Sequence, residues 1–187
     1  MNLFEIGILD FVQTHMRSTF GDLVMPLITV LGDGGIFWIL LTLALLVVPK
    51  TRKLGLCCAV SLLIDLALCN GLLKNLIART RPYDVNPAVR LLIEKPGEFS
   101  FPSGHAAASF TVVGAMYFSK SRLWIPSAVL AAVIGFSRIY LYVHYPTDVI
   151  GGAAFGLLFG LIGAAVTDKI LRFMQEKRAG GGHNAGL

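Results

Sequence analysis

Three short blocks hold most of the side chains able to do chemistry. The first contains Lys74, Arg79, Arg81 and Pro82, the second runs from Phe101 through Pro102, Ser103 and Gly104 to His105, and the third carries Ser137, Arg138, His144 and Asp148. Cations neutralise the non-bridging oxygens of a phosphate ester, and an arginine fork holds two of them at once. Pro102 fixes the entry to a helix, Ser103 offers a hydroxyl and Gly104 lets a ligand approach the main chain. Free N–H groups at such a helix start, with the helix dipole, favour an anion. Singly, each block has an ordinary explanation: Lys74 and Arg81 as snorkelling anchors, Ser103 as a helix cap, either histidine as a structural residue. Convergence of the three blocks on one place is what would make them a site.

What must bring them together is a set of membrane helices. Of the 187 residues, 55% are hydrophobic and only 14% charged, against about 25% charged in soluble domains. The mean hydropathy is +0.71. Disorder, a coiled coil and a soluble globule fit poorly. The net charge of +5 suits basic cytoplasmic loops rather than nucleic acid. The fold class expected is therefore all-α, a polytopic bundle of about five to six transmembrane helices with an amphipathic helix at the N-terminus.

Leu54 to Leu73, Leu123 to Val143 and Val149 to Val166 meet the ruler of about 20 apolar residues, and Ala106 to Phe118 approaches it if extended by the Ser103-Gly104-His105 start. Between Leu23 and Val48 the glycines around Asp33 divide an apolar run, which reads as a crossing from Gly35 to Lys50 preceded by a short tilted piece. Residues 1–22 read as the interfacial segment, with a helix near Leu3 to Met16, because a crossing there would have to include Asp10, Gln13, His15 and Arg17. Residues 23–173 form the membrane domain, and 174–187 an unstructured cytoplasmic tail. Lys50, Arg52 and Lys53, then Lys120 and Arg122, then Lys169 and Arg172 fall on one side if the crossings alternate. By the positive-inside rule that side is cytoplasmic. All three chemical blocks then share the external face.

Other features are quieter. Cys57, Cys58 and Cys69 read as buried small hydrophobes. Gly152, Gly156 and Gly160 recur every four residues, spacing that lets helix backbones approach closely. Asp65 is the one charge deep in a crossing. At 100° per residue its nine-position separation from Lys74 places it on the opposite helix face, where an internal hydrogen bond is the favoured reading. Asn70 shares the face of Lys74 and is placed to orient it.

With these residues in place, the sequence resembles the type 2 phosphatidic acid phosphatase superfamily, which includes lipid phosphatases and vanadium haloperoxidases. Its signature is Lys, six residues, Arg-Pro; then Pro-Ser-Gly-His; then Ser-Arg, five residues, His, three residues, Asp. Lys74 to Pro82, Pro102 to His105 and Ser137 to Asp148 match it in identity and spacing. The resemblance implies that His144 attacks phosphorus, that Asp148 orients it, and that His105 protonates the leaving oxygen and then activates water. Lys74, Arg81, Ser103, Gly104 and Arg138 would bind the phosphate. No metal and no cofactor is expected.

The expected function is that of a cell-membrane lipid phosphatase whose partners are its lipid phosphate substrate and the bilayer, with no nucleic acid. Undecaprenyl diphosphate is favoured because an external site suits recycling of a polyprenyl carrier and because Arg79 can hold a second phosphate, an interface anchor being the alternative reading of Arg79. Phosphatidylglycerol phosphate or phosphatidate is the runner-up. A transporter or structural membrane protein is the non-enzyme alternative, weakened by the clustering of ionisable groups at one end of the helices.

Overall fold

A computed structural model of the chain describes residues 3–181, with side chains as far as 177. Helix α1 spans Leu3–Phe11 and continues as a π turn over Val12–Met16; α2 is Thr19–Val30, capped by Ser18 Oγ accepting from the Gly21 N–H. A 3-10 turn at Asp33–Gly35 leads into α3, Ile36–Val47. Next, α4 (Arg52–Asp65) runs through π-helical Leu66–Leu73 into α5 (Lys74–Ile77). Short α6 (Pro82–Val85) precedes a loop, followed by α7 (Gly104–Phe118), α8 (Trp124–Tyr140) and α9 (Pro146–Gly181). The described residues are all-helical, with no strand among them.

Length and composition qualify two helices to cross a membrane, Arg52–Val85 and Pro146–Lys177, with α2 and α3 a possible third span bent by 45°. The bend follows from the glycines. Gly34 and Gly35 have φ of +57° and +68°, conformations that cost an L side chain energy but not glycine. Large apolar side chains point outward, among them Leu40 at 60%, Leu63 at 66% and Ile150 at 68% exposure. Water would penalise that surface; lipid does not.

The most extensive helix contact is that of α7 with α9. A Cβ on Gly156 would lie 2.4 Å from the Ala107 carbonyl oxygen, and one on Gly160 2.5 Å from the Ala115 nitrogen. The glycine stripe therefore lets the two backbones touch. On the neighbouring face, Gly163 packs against Ser61 of α4. The three cysteines are free and buried.

Two expectations change. Asp10 and Gln13, in α1 and its π turn, face the protein, where Tyr142 Oη donates to Asp10 Oδ1 at 2.7 Å and Gln13 Nε2 donates to the Tyr140 carbonyl at 2.7 Å, while Thr14 and His15 stay exposed. Leu3, Phe4 and Phe11 are exposed too. Pairing within the protein removes the penalty that had argued against burying Asp10 and Gln13 in an apolar setting. The tail expected to be unstructured over 174–187 is helical as far as Gly181, an extension of α9, and residues 182–187 lie outside the described residues.

Gly156→Ala should lower stability in detergent by about 1–3 kcal/mol, the range for overpacking. Gly7→Ala is its control, since a Cβ there meets nothing within 4 Å. Thermal unfolding of both variants checks this. Equal melting temperatures would show that the α7–α9 contact yields more easily than its geometry implies.

Candidate active site

The turn from α8 to α9 carries the central histidine. Pro146 starts α9, and Tyr142 takes a φ of +59°, a strained value for a bulky residue. Hydrogen bonds from Tyr142 Oη to Asp10 and from Asn86 Nδ2 to Tyr142 Oη hold that conformation. The turn then delivers His144 to the interior at 1% exposure.

Asp148, 0% exposed, gathers the surroundings of His144. Its Oδ2 accepts from Ser100 Oγ at 2.5 Å and from the Tyr145 N–H at 2.9 Å. Its Oδ1 accepts from Arg79 Nη1 at 2.6 Å. His144 Nδ1 lies 3.4 Å from Asp148 Oδ2, longer than an ordinary N–H···O bond. On the other edge of the ring, Arg81 Nη1 donates to His144 Nε2 at 3.2 Å. An arginine has no lone pair to offer, so Nε2 carries the lone pair and Nδ1 the proton. Burial pushes the His144 pKa down to about 3; the Asp148 hydrogen bond opposes this, and Arg81 and Arg138 reinforce it. The imidazole is therefore neutral at physiological pH, the state a nucleophile needs.

The cations converge from separate elements. Arg81 is oriented by donating from Nε to the Glu98 carbonyl at 2.6 Å and from Nη1 to the Val143 carbonyl at 2.9 Å. Arg138, 2% exposed, donates from Nη1 to Thr29 Oγ1 at 2.5 Å, while its Nε has no partner among the described residues. Lys74 donates to Glu98, and that hydrogen bond holds the Glu98 carboxyl below the usual carboxylate range. Lys74 Nζ lies 3.6 Å, and Asn70 Oδ1 3.1 Å, from where a Cβ on Gly104 would sit. A side chain at position 104 would therefore crowd Asn70 and touch Lys74.

Lys74, Arg81, Gly104, His105, Arg138 and His144 all line one cavity of about 1250 Å³. Ser103 and Asp148 stand behind this wall. The Ser103 N–H donates to the Asp148 carbonyl at 3.0 Å, and its buried hydroxyl has no partner among the described residues. Those eight residues were all expected at the site. Among the described residues no cluster of His, Cys, Asp or Glu is arranged to hold a metal.

Sequence reasoning missed several positioning groups. His105 Nε2 is 2.8 Å from Asp33 Oδ1. Thr29 and Ser100 contact Arg138 and Asp148 across long stretches of chain, and Glu5 Oε2 accepts from Arg79 Nη2 at 2.6 Å. The only available signal was acidity at Asp33 and Glu5 within apolar stretches. Two readings are corrected. Arg79 binds Asp148 and Glu5, with its guanidinium 4.0 Å over the Tyr145 ring, so it is engaged in holding the site rather than available for a second phosphate. Asp65 lines the cavity together with Lys74, although α-helical spacing had put them on opposite faces. Through the eight π-helical residues Leu66–Leu73, the advance drops from 100° to roughly 80° per residue. The accumulated lag of about 160° swings Asp65 round to the face of Lys74.

Residues 53–172 match the sequence profile of the PAP2 superfamily. The chain belongs to this superfamily. Among similar PAP2 proteins, an undecaprenyl-diphosphatase of Sulfolobus acidocaldarius is 38% identical over 121 residues, 64% of this chain and 58% of that protein. The chain thus aligns with little more than half the length of that relative. Phosphatidylglycerophosphatase B of Bacillus subtilis is 34% identical over 174 residues, 87% of this chain and 76% of that one. The fold is similar to the crystal structure of a transmembrane PAP2 type phosphatidylglycerolphosphate phosphatase from Bacillus subtilis, with TM-score 0.72 and 29% identity, covering 91% of this chain and 89% of the other. That of Aquifex aeolicus LpxE gives TM-score 0.66 at 26% identity, covering 84% and 92%.

With its pKa pushed down to about 3, His144 should remain neutral from pH 8 to about pH 5. Nitrogen-15 shifts of the histidine rings in the folded protein check this. An imidazolium signal from His144 at pH 6 would contradict the burial argument.

Proposed function

We propose that this PAP2 protein hydrolyses the phosphate ester of a membrane lipid through a phosphohistidine. One observation carries the reading: the lone pair of a neutral His144 sits in a cavity wall shared with Lys74, Arg81, Arg138 and His105. His144 Nε2 attacks phosphorus, a P–N bond forms, and the P–O bond to the lipid alcohol breaks. A protonated His105, its Nε2 2.8 Å from Asp33 Oδ1, gives the leaving oxygen its proton. His105, now neutral, removes a proton from water, which attacks phosphorus and releases phosphate, restoring Nε2. Asp148 stabilises the positive ring in between. Lys74, Arg81 and Arg138 offset the charge spreading over the equatorial oxygens, and Ser103 and the Gly104 N–H support the same oxygens.

Five crossings are proposed: the bent α2–α3 pair, α4 with α5, α7, α8 and α9. The ion pair of Lys53 with Asp168 at 2.8 Å supports a common side for the first basic loop and the last helix. That side is assigned to the cytoplasm and the catalytic cavity to the exterior. From the cations the cavity continues along Ile39, Leu43, Leu63 and Leu66, an apolar wall suited to a lipid tail. Undecaprenyl diphosphate, first favoured through Arg79, loses that support because Arg79 is bound to Asp148 and Glu5. Glycerophospholipid monophosphates then become the preferred substrates.

Purified protein should release phosphate from phosphatidate in excess EDTA and be inhibited by vanadate, whose five-coordinate geometry mimics the transferring phosphoryl group. His144→Ala should release none above background. Equal release by the two proteins, or none by either, would overturn the assignment.

Arg79→Ala should lower kcat by about 10- to 100-fold through misplacement of Asp148 and His144, with KM little changed. The loss should be similar for phosphatidate and for undecaprenyl diphosphate. A loss confined to the diphosphate would restore Arg79 as a substrate contact.

A further inference from the structure

Asp65 is not used by the chemistry above, yet it occupies an unusual place. It is 3% exposed and lines the catalytic cavity, and its Oδ1 has no hydrogen-bond partner among the described residues. Burying an unpaired carboxyl group in an apolar helix bundle is costly. Its neighbours on the cavity wall include Leu62, Leu63 and Leu66, which offer nothing to bond. A π-helical stretch, rare and less well packed than an α-helix, is what turns this residue into the cavity. Without the eight residues Leu66–Leu73 in that form, α-helical spacing would direct it away from Lys74.

Its depth identifies what it can meet. Asp65 lies nine residues before Lys74, at most about 13 Å along the axis at 1.5 Å per residue. Helical side chains lean toward the N-terminus, so the lysine stem reaches back along the wall and shortens the gap to roughly 5–10 Å. A phosphate held by Lys74 thus places the next few bonds of its ester beside Asp65. In undecaprenyl diphosphate those bonds belong to the second phosphate, whose charge an acidic side chain opposes, and then to hydrocarbon, which offers it no hydrogen bond. In phosphatidylglycerol phosphate they carry the free hydroxyl of the head-group glycerol, which can donate to a carboxylate.

We propose that Asp65 forms a polar subsite for the glycerol unit of the substrate and selects glycerol-based lipid phosphates over polyprenyl ones. The proposal rests on the lipid phosphatase reading and deepens it. Asp65 is a specificity residue that touches substrate away from the reacting atoms.

The test compares phosphate release from phosphatidylglycerol phosphate and from undecaprenyl diphosphate, both in one detergent, by the wild-type chain, Asp65→Leu and Asp65→Asn. Wild type should favour phosphatidylglycerol phosphate in kcat/KM by about tenfold or more. Asp65→Leu should lose that preference through KM for phosphatidylglycerol phosphate, while turnover of undecaprenyl diphosphate is kept or raised, which also reports correct folding. Asp65→Asn, which still forms hydrogen bonds, should retain most of the preference. An equal fall on both substrates would make Asp65 structural or a modulator of Lys74, and no change on either would remove it from substrate binding; both overturn the proposal. Should Asp65→Leu fail to fold, a wild-type preference for undecaprenyl diphosphate, or an Asp65→Asn variant with its preference lost, overturns it as well. Release from neither substrate by wild type would instead mark failure of the phosphatase reading itself, and the subsite falls with it.

Discussion

The buried carboxylate of Asp148 is the constraint around which the rest is arranged. A charge with no exposure is tolerated only when its lone pairs are taken up, and here they are taken up by groups from distant parts of the chain. Ser100 comes from the long loop, the Tyr145 N–H from the turn before α9, and Arg79 from the segment after α5. Arg79 extends the network to Glu5, which also accepts from the Thr147 N–H at 3.1 Å. One carboxylate thereby ties the N-terminal helix, the loop and the α8–α9 turn together. His144 is oriented as a consequence.

Burial acts differently on the groups around this centre. It keeps the His144 imidazole neutral, pushing its pKa down to about 3, because charging the ring beside Arg81 and Arg138 in a dry site is unfavourable. The arginines stay where they are because carbonyls and hydroxyls hold them: Arg81 on Glu98 and Val143, Arg138 on Thr29. Preorganised cations of this kind need little rearrangement when charge develops on a ligand. Close backbone packing of α7 on α9 through Gly156 and Gly160 supplies the rigid frame.

The three chemical blocks were legible because their chemistry depends on residue type and short spacing. Lys74, Arg81, Gly104, His105, Arg138 and His144 meet at one cavity, with Ser103 and Asp148 immediately behind. Helix positions were legible too, since apolar length marks them, and the break at Gly34 and Gly35 follows from their positive φ. The inward aim of Asp10 and Gln13 was not: a one-dimensional reading charges each polar group the cost of leaving water without knowing its future partner. Arg79 shows the same limit, for nothing near it in sequence announces Glu5.

The sequence by itself determined an all-helical, lipid-compatible chain and the identity of the residues proposed to handle phosphate, since hydropathy and motif spacing are local properties. Tertiary structure alone decided which groups neutralise one another, that Arg79 serves Asp148, and that Asp33 faces His105. It also decided that Asp65 looks into the cavity, because the π-helical phase of Leu66–Leu73 departs from the ideal periodicity on which any reading of helix faces depends. Partners separated by many residues are chosen by packing, and packing is a property of the whole fold.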